Sequence, residues 1–176
     1  SVDELVAITV LLDHSVRKFN IQPRVAMLSY SNFGSNDGAV PEKVRRAVKI
    51  LHEKHKEITI DGDMQANFAM NPDLLKDNYP FSTLVGAPAN VLVFPNLESG
   101  NIAYKLLQEI GGAEAVGPIL LGLNKPVHIL QLGSSVREIV NMVTIAVVDV
   151  QTKEEESSAL VNPRVKGIFK RVIKKE

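Results

Sequence analysis

The sequence Asn-Val-Leu-Val-Phe-Pro-Asn-Leu-Glu-Ser-Gly-Asn-Ile-Ala-Tyr-Lys, residues 90–105, says most about the fold. It starts as an apolar run typical of a buried strand, breaks at Pro95, and opens through Ser99-Gly100-Asn101 into a helical pattern. A strand-to-helix turn of small and amide residues exposes backbone N–H groups where the helix dipole also favours negative charge. The stretch therefore predicts an anion site at the carboxyl edge of an α/β sheet.

Strands and helices alternate on both sides of this stretch. Apolar runs predict strands over 24–29, 57–60 and 91–94, and extended segments over 119–121 and 127–130. Helical periodicity covers 2–19, a segment starting near Pro41, 71–76, 102–112 and 134–150. This alternation predicts a three-layer α/β fold, with a mostly parallel sheet flanked by helices. Ligands of such sheets bind beyond the carboxyl ends of the strands.

Composition narrows the class of protein. The chain has 176 residues, 45% of them hydrophobic, and a formal net charge of zero. A balanced charge does not favour nucleic-acid binding. The lack of cysteine excludes disulfides, thiolate metal sites and cysteine nucleophiles. No apolar run is long enough to span a membrane, and the N-terminus has no basic segment of a signal peptide. We expect a cytoplasmic protein with no nucleic-acid or membrane partner.

The sequence predicts two regions of unequal size. Residues 1–151 form the α/β domain. Residues 152–176 comprise an acidic linker, 152–158, and a basic amphipathic tail, 165–176, expected to dock on the body or on a neighbouring subunit. A helix lying on a membrane surface is the alternative for the tail.

Two polar loops follow predicted strands, and each has two interpretations. The segment Ser29-Tyr-Ser-Asn-Phe-Gly-Ser35 could donate hydrogen bonds to a phosphate or acyl oxygen, or form an ordinary capped strand–helix turn. The segment Asp61-Gly-Asp-Met-Gln65 could bind a divalent cation, orient a substrate amide, or form a turn with an Asx hydrogen bond. The lack of a histidine partner disfavours a metal, and we predict no metal site.

The last predicted helix opens with Ser135-Val-Arg-Glu138, the pattern of a capping box. Glu138 could therefore satisfy the first amides of its helix, or act as a general base if a reacting proton came within reach. The four histidines share no metal-ligand spacing, and His128, within an apolar strand, is interpreted as structural.

Four segments together resemble the second half of the phosphate acetyl/butyryl transferase family. They are Met-Leu-Ser-Tyr-Ser-Asn-Phe-Gly-Ser (27–35), Asp-Gly-Asp-Met-Gln (61–65), Gly-Ala-Pro-Ala-Asn-Val-Leu-Val-Phe-Pro-Asn-Leu-Glu-Ser-Gly-Asn-Ile-Ala-Tyr-Lys (86–105) and Gly-Pro-Ile-Leu-Leu-Gly-Leu-Asn-Lys-Pro-Val-His (117–128). The resemblance implies a fold like that of isocitrate and isopropylmalate dehydrogenases. It also implies a cleft for coenzyme A and phosphate between two α/β domains, of which this chain would supply the second.

The resemblance assigns the ligand site to residues in these loops. The implied coenzyme A and phosphate ligands are Ser29, Ser31, Asn32, Gly34, Ser35, Asp61, Gln65, Asn90, Asn96, Gly100, Asn101, Lys105, Gln131 and Gly133. The acidic residue proposed as the family's general base falls on Glu138.

The chain departs from the family pattern after Lys125-Pro-Val. Active members carry a sequence of the type Asn-Asp-Leu-Ser-Arg-Gly-Cys, whereas here it reads His128-Ile-Leu-Gln-Leu-Gly-Ser134. Gln131 and Leu132 replace the substrate-binding Ser-Arg pair, and leucine cannot supply arginine's bidentate anion contact. The variant segment 125–142 is similar instead to the C-terminal region of large NADP-dependent malic enzymes.

This second resemblance implies a regulatory domain that senses acetyl-CoA and supports a homo-oligomer. NADP and a divalent metal would then bind only upstream in the parent chain, and acetyl-CoA or coenzyme A would be the ligand here. The alternatives are an active phosphate acyltransferase with Glu138 as base, and a domain that only assembles oligomers.

Overall fold

The computed structural model of this protein describes residues 1–112, 115–123 and 125–161, with the side chains of 154–161 left out. Its contacts divide the chain into two units, 1–114 and 115–176. Within the described ranges, no helix is both long and apolar enough to cross a membrane.

The first unit contains a three-stranded parallel sheet in the order β2-β1-β3. Strands β1 (Val25–Leu28), β2 (Ile60–Met64) and β3 (Val91–Val93) agree with the predicted positions, except that β2 was expected at 57–60. Asp61 and Asp63, which were expected in a loop after β2, lie within the strand itself. The register of β1 on β2 shifts between Met27 and Leu28.

Helices cover both faces of this sheet, which makes three layers. Helix α1 (Val2–Arg17) and helix α2 (Ala39–Lys54) pack with alternate strand residues, such as Val25 and Met27, in one apolar cluster. The intervening residues Ala26 and Leu28 point the other way, because side chains alternate along a strand. They join the cluster that includes residues of α3 (Ala66–Met70) and α4 (Pro72–Asn78). The predicted α/β class and layers are confirmed.

Helix α2 illustrates how the sequence specifies this packing. Its buried residues are Pro41, Val44, Ala47, Val48 and Leu51, the apolar face that the periodicity predicted. Because proline lacks a backbone N–H, its position in the first turn removes no helical hydrogen bond.

Helix α5 (Leu97–Gly111) follows β3 and ends at Gly112, which has the left-handed conformation with φ +58°. None of its residues is buried by other described residues. The predicted apolar stripe is present but exposed, and it includes Ile102, Leu106 and Ile110.

The second unit contains α6 (Val136–Val161) and the preceding segment, where Ile119 and His128 form an isolated antiparallel bridge. The two predicted extended segments, 119–121 and 127–130, therefore meet at a single bridge within the described part of the chain. Helix α6 continues through 152–158, so the acidic segment that was predicted as a linker is helical in the structure. The tail, 165–176, lies outside the described residues.

Candidate functional site

The carboxyl ends of the strands open into the loops from which the site was predicted. The loop of residues 29–38 follows β1 and leads into α2, and the turn at Pro95–Asn96 follows β3 and leads into α5. A cavity of about 390 Å³ lies at this edge and is lined by both. Its walls include Ser29 and Tyr30 from the loop, Phe94 after β3, and Asn96 and Ser99 at the start of α5.

The side chains of the 29–38 loop point mainly into the loop itself. Ser31 is fully buried, and its hydroxyl lies 3.2 Å from that of Ser35 and accepts the Asn36 N–H at 3.1 Å. The carboxamide of Asn32 accepts the Gln65 N–H at 2.8 Å, and Gln65 Nε2 donates to the Tyr30 carbonyl at 2.8 Å. The structure thus brings these predicted residues together, but their polar groups stabilise the loop.

The backbone N–H groups of the loop are also used within the protein. Those of Ser29 and of 31–36 each donate to an acceptor in the loop or on β2. The loop therefore forms a preorganised wall of the cavity. An anion could accept hydrogen bonds from these N–H groups only by displacing the acceptors that they already have.

Asp63, on β2, is the residue on which the loop is built. Its side chain is completely buried, and it accepts hydrogen bonds from Ser29 Oγ at 3.1 Å and from the Gly34 N–H at 3.2 Å. The carbonyl of Asp63 accepts the Phe33 N–H at 2.7 Å. Arg45, from α2, places Nη1 3.6 Å from the Asp63 carboxylate. Asp63 and Arg45 are absent from the predicted site. The Asp63 carboxylate finds its partners Ser29 and Gly34 at separations of 34 and 29 residues, which no local pattern reveals.

Asp61 has the same kind of role in a different place. Its carboxylate accepts Ser82 Oγ at 2.8 Å and the Thr83 N–H at 2.9 Å, so it holds the segment before β3. Because Asp61 and Asp63 both lie in strand β2, the turn with an Asx hydrogen bond predicted for 61–65 is not formed. Since both carboxylates bond to serine and backbone donors, they do not form a shared cation site. Among the described residues, no three His, Cys, Asp or Glu side chains gather as a metal site.

Asn90 lies away from the cavity. It precedes β3, at the amino end of the strand, whereas the loops of the site follow the carboxyl ends. Its side chain accepts the Arg24 N–H at 2.8 Å and donates to the Gln22 carbonyl at 2.9 Å. Asn90 therefore joins the chain segments that enter β1 and β3.

The N-terminus of α5 is the strongest remaining anion-binding feature. The helix begins at Leu97, earlier than the predicted Ser99-Gly100-Asn101, because Asn96 caps it by accepting the Ser99 N–H at 2.8 Å. Gly100 and Asn101 line a second cavity, of about 490 Å³, together with Lys43 from α2. Lys43 Nζ donates to the Pro95 carbonyl at 2.6 Å and supplies a cation that sequence reasoning missed. Lys105 lies further along α5, with its ammonium group 4.9 Å from the centre of the Tyr104 ring.

The predicted residues of the second unit form a turn and a helix cap. Ser134 donates through N and Oγ to the Gln131 carbonyl, at 3.2 and 2.9 Å, and Gly133 supplies a φ of +87°. The Glu138 carboxylate accepts the Ser135 N–H at 2.6 Å, and Ser135 Oγ accepts the Glu138 N–H at 3.2 Å. The capping box is therefore present.

The fold and loops define the first unit as an α/β domain with cavities at the carboxyl edge of a parallel sheet. The sequence matches the phosphate acetyl/butaryl transferase family over residues 1–147, and the chain belongs to that family.

Relatives of two kinds match the chain. It is 46% identical over 153 residues to an NADP-dependent malic enzyme of Escherichia coli (strain K12), covering 86% of this chain and 20% of the relative. It is 45% identical over 142 residues to a phosphate acetyltransferase of Bacillus subtilis (strain 168), covering 81% and 44%. A solved phosphotransacetylase from Streptococcus pyogenes superposes with a TM-score of 0.78 at 39% identity, covering 84% and 45%. The chain thus spans about a fifth of the malic enzyme and under half of the transferases.

Proposed function

We propose that this chain is the C-terminal transacetylase-like region of an NADP-dependent malic enzyme, which decarboxylates malate oxidatively to pyruvate. In this proposal the region senses acetyl-CoA and supports a homo-oligomer, and NADP and the divalent metal bind elsewhere in the parent chain. The proposal also places the protein in the cytoplasm.

One observation carries the proposal: the turn before α6 has lost the family's anion donor while the cavities at the sheet edge remain. The family resemblance expects a Ser-Arg pair where Gln131 and Leu132 stand, and the Leu132 side chain is fully exposed to solvent. Leucine can neither neutralise nor bond a phosphate or acyl oxygen. Binding without efficient acyl transfer follows from this combination.

The first turn of α5 offers the best place for a phosphate group of the ligand. Its leading N–H groups lack intrahelical acceptors, and Lys43 and Asn101 line the adjacent cavity. The 29–38 loop forms the wall of the neighbouring cavity and shapes the entrance.

Isothermal titration of the full-length protein with acetyl-CoA tests this function. We expect saturable binding, and weaker binding for Lys43→Met than for the control Lys49→Met, which removes an exposed cation from the same helix. No heat at high micromolar acetyl-CoA would contradict the sensing role. Deletion of these 176 residues from the proposed parent malic enzyme should abolish the sensitivity of malate oxidation to acetyl-CoA. If the deletion abolishes subunit association but leaves that sensitivity intact, the region has only the assembly role.

An active phosphate acyltransferase is the second candidate, favoured by 45% identity to a phosphate acetyltransferase. In that case Glu138 would act as base, although its carboxylate caps α6. A coupled acetyl phosphate assay on the full-length protein separates the two functions. Robust turnover that Glu138→Gln abolishes would overturn the regulatory proposal. The control is Ser135→Ala, which disturbs the same cap without removing the carboxylate.

The homo-oligomer is motivated by the apolar side chains that α5 exposes, among them Ile102, Leu106 and Ile110. Light scattering after size-exclusion chromatography measures the mass of the full-length protein directly. A mass of one subunit across the micromolar range would contradict this part of the proposal.

A further inference from the structure

Asp63 is a buried charge with an unusual set of partners. A carboxylate removed from water is costly unless hydrogen bonds and an opposite charge replace its hydration. Here Ser29 Oγ and the Gly34 N–H supply the hydrogen bonds, and the Arg45 guanidinium supplies the charge at 3.6 Å. Ser29 and Gly34 lie five positions apart in one loop, so a single carboxylate fixes both its entry and its middle.

Arg45 fixes the remaining part of the same loop. Its Nη1 donates to the Asn36 carbonyl at 3.0 Å, and its Nη2 pairs with Glu42 at 3.0 Å. The Arg45 side chain is three-quarters buried, so water screens these contacts only in part. Since Arg45 lies on α2 and Asp63 on β2, the loop is held between two elements on either side of it.

The clamped loop is also a wall of the cavity at the sheet edge. Ser29 and Tyr30 line that cavity, and Ser29 is the residue whose hydroxyl Asp63 orients. We propose that Asp63 is a positioning residue: with Arg45 it sets the shape of the 29–36 loop and thereby the affinity for acetyl-CoA. This inference rests on the proposed function for its ligand, and on the described contacts for the clamp.

Asp61 provides a matched control on the same strand, because this residue, which the family resemblance implied as a ligand, lines neither of the two cavities described above. It is also buried, also accepts from a serine hydroxyl and a backbone N–H, and holds 82–84, a segment that lines neither cavity. Asp63→Asn and Asp61→Asn each replace one charged acceptor by a neutral side chain of the same shape. A loss of stability is expected from both, so stability alone does not separate positioning from scaffolding.

The experiment measures the dissociation constant of acetyl-CoA by titration calorimetry on the full-length protein, well below the melting temperature of each variant. We expect Asp63→Asn to raise the dissociation constant about tenfold, and Asp61→Asn to change it less than about twofold, because only the first relaxes the cavity wall. Arg45→Gln should act in the same direction as Asp63→Asn. Equal effects of Asp63→Asn and Asp61→Asn, or none from Asp63→Asn, would overturn the positioning role.

Amide hydrogen exchange separates this inference from the proposed function. The Gly34 amide should exchange faster in Asp63→Asn than in Asp61→Asn, since its acceptor is the Asp63 carboxylate. The Phe33 amide donates to the main-chain carbonyl of Asp63, which both variants keep, and serves as an internal reference. If the wild type binds no acetyl-CoA, the proposed function is wrong, and so is the predicted effect of Asp63→Asn on the dissociation constant of acetyl-CoA. Unchanged exchange at the Gly34 amide would refute the clamp whether or not acetyl-CoA binds.

Discussion

Gly62→Ala is the substitution for which the structure gives the sharpest expectation. Gly62 lies between the two buried aspartates of β2 and has a φ of +147°, a conformation that residues with a Cβ rarely adopt. A Cβ at this position would lie 2.4 Å from the Met27 carbonyl oxygen, in the backbone of the neighbouring strand. Because a backbone atom cannot rotate away as a side chain can, β1 and β2 would have to separate.

Two effects contribute to the expected loss of stability. Strained backbone costs about 1–3 kcal/mol, and overpacking a closely packed site costs about another 1–3 kcal/mol. Gly86→Ala separates them, because Gly86 has a φ of +99° and a Cβ added there would meet no atom within 4 Å. We expect Gly62→Ala to cost about 2–6 kcal/mol and Gly86→Ala only the strain, about 1–3 kcal/mol.

Urea denaturation followed by circular dichroism gives both free energies of unfolding, provided that the slope with denaturant is unchanged. An equal loss for the two variants would refute the close approach of Gly62 to Met27. A loss at Gly62 with unaltered exchange at the Gly34 amide would show that Asp63 keeps its place when the strands move apart.

Three further outcomes follow from the packing and hydrogen bonds. Leu51→Ala should lower the free energy of unfolding by about 2–5 kcal/mol in denaturant titrations, because Leu51 is fully buried. The control Lys49→Ala, on the exposed side of α2, should change that free energy by less than about 0.5 kcal/mol. Similar losses for the two variants would contradict the assignment of Leu51 to the buried face of α2. Asn96→Ala should lower the free energy of unfolding by about 1 kcal/mol, measured by thermal unfolding, because it removes the cap of α5. Asn101→Ala, within the same helix, is the control. A loss for Asn96→Ala no larger than that of the control would argue against the cap. His128→Leu should leave stability unchanged or raise it, because both ring nitrogens are buried without a hydrogen-bond partner among the described residues, and Nε2 lies 3.8 Å from the Asp149 carboxylate, beyond hydrogen-bond distance. A loss above about 2 kcal/mol in urea would show that the contact with Asp149 stabilises the fold.

The parts of the fold that repeat a simple period could be predicted from the sequence. Helix α2 shows its buried face directly, and β1 and β3 are short apolar runs. The position of β2 could not be predicted, because Asp61-Gly-Asp63 has the composition of a turn. It is a strand because Ser82, Thr83 and the 29–34 loop satisfy its carboxylates, and those partners lie 21 to 34 residues away.

Helix α6 was predicted too short for a different reason. Its extension through 152–158 is charged rather than apolar, so hydrophobic periodicity ends before the helix does. Lysine and glutamate are nevertheless good helix formers, and their propensity continues the helix.

The location of the candidate site could be predicted from the sequence, but the directions of its side chains could not. The loops are where the strand ends suggested, yet the direction of a hydroxyl such as that of Ser31 depends on contacts that no local pattern reveals. Asn96 was identified as a ligand residue and is a helix cap in the structure, a role that short polar residues share with anion binding. Lys43 was missed because it lies on α2, a helix from which no site residue was predicted.

The inward direction of the hydroxyl groups in the 29–38 loop has a consequence for how sequences of this kind diverge. Positions whose side chains project outward, such as Tyr30, can change residue type without altering the backbone path, because the path is set by hydrogen bonds beneath them. A change at Asp63 would remove the acceptor of two of these bonds, those from Ser29 and Gly34. Substitutions at the outer positions therefore change the surface of the cavity, whereas substitutions at the inner positions change the hydrogen bonds that hold the loop.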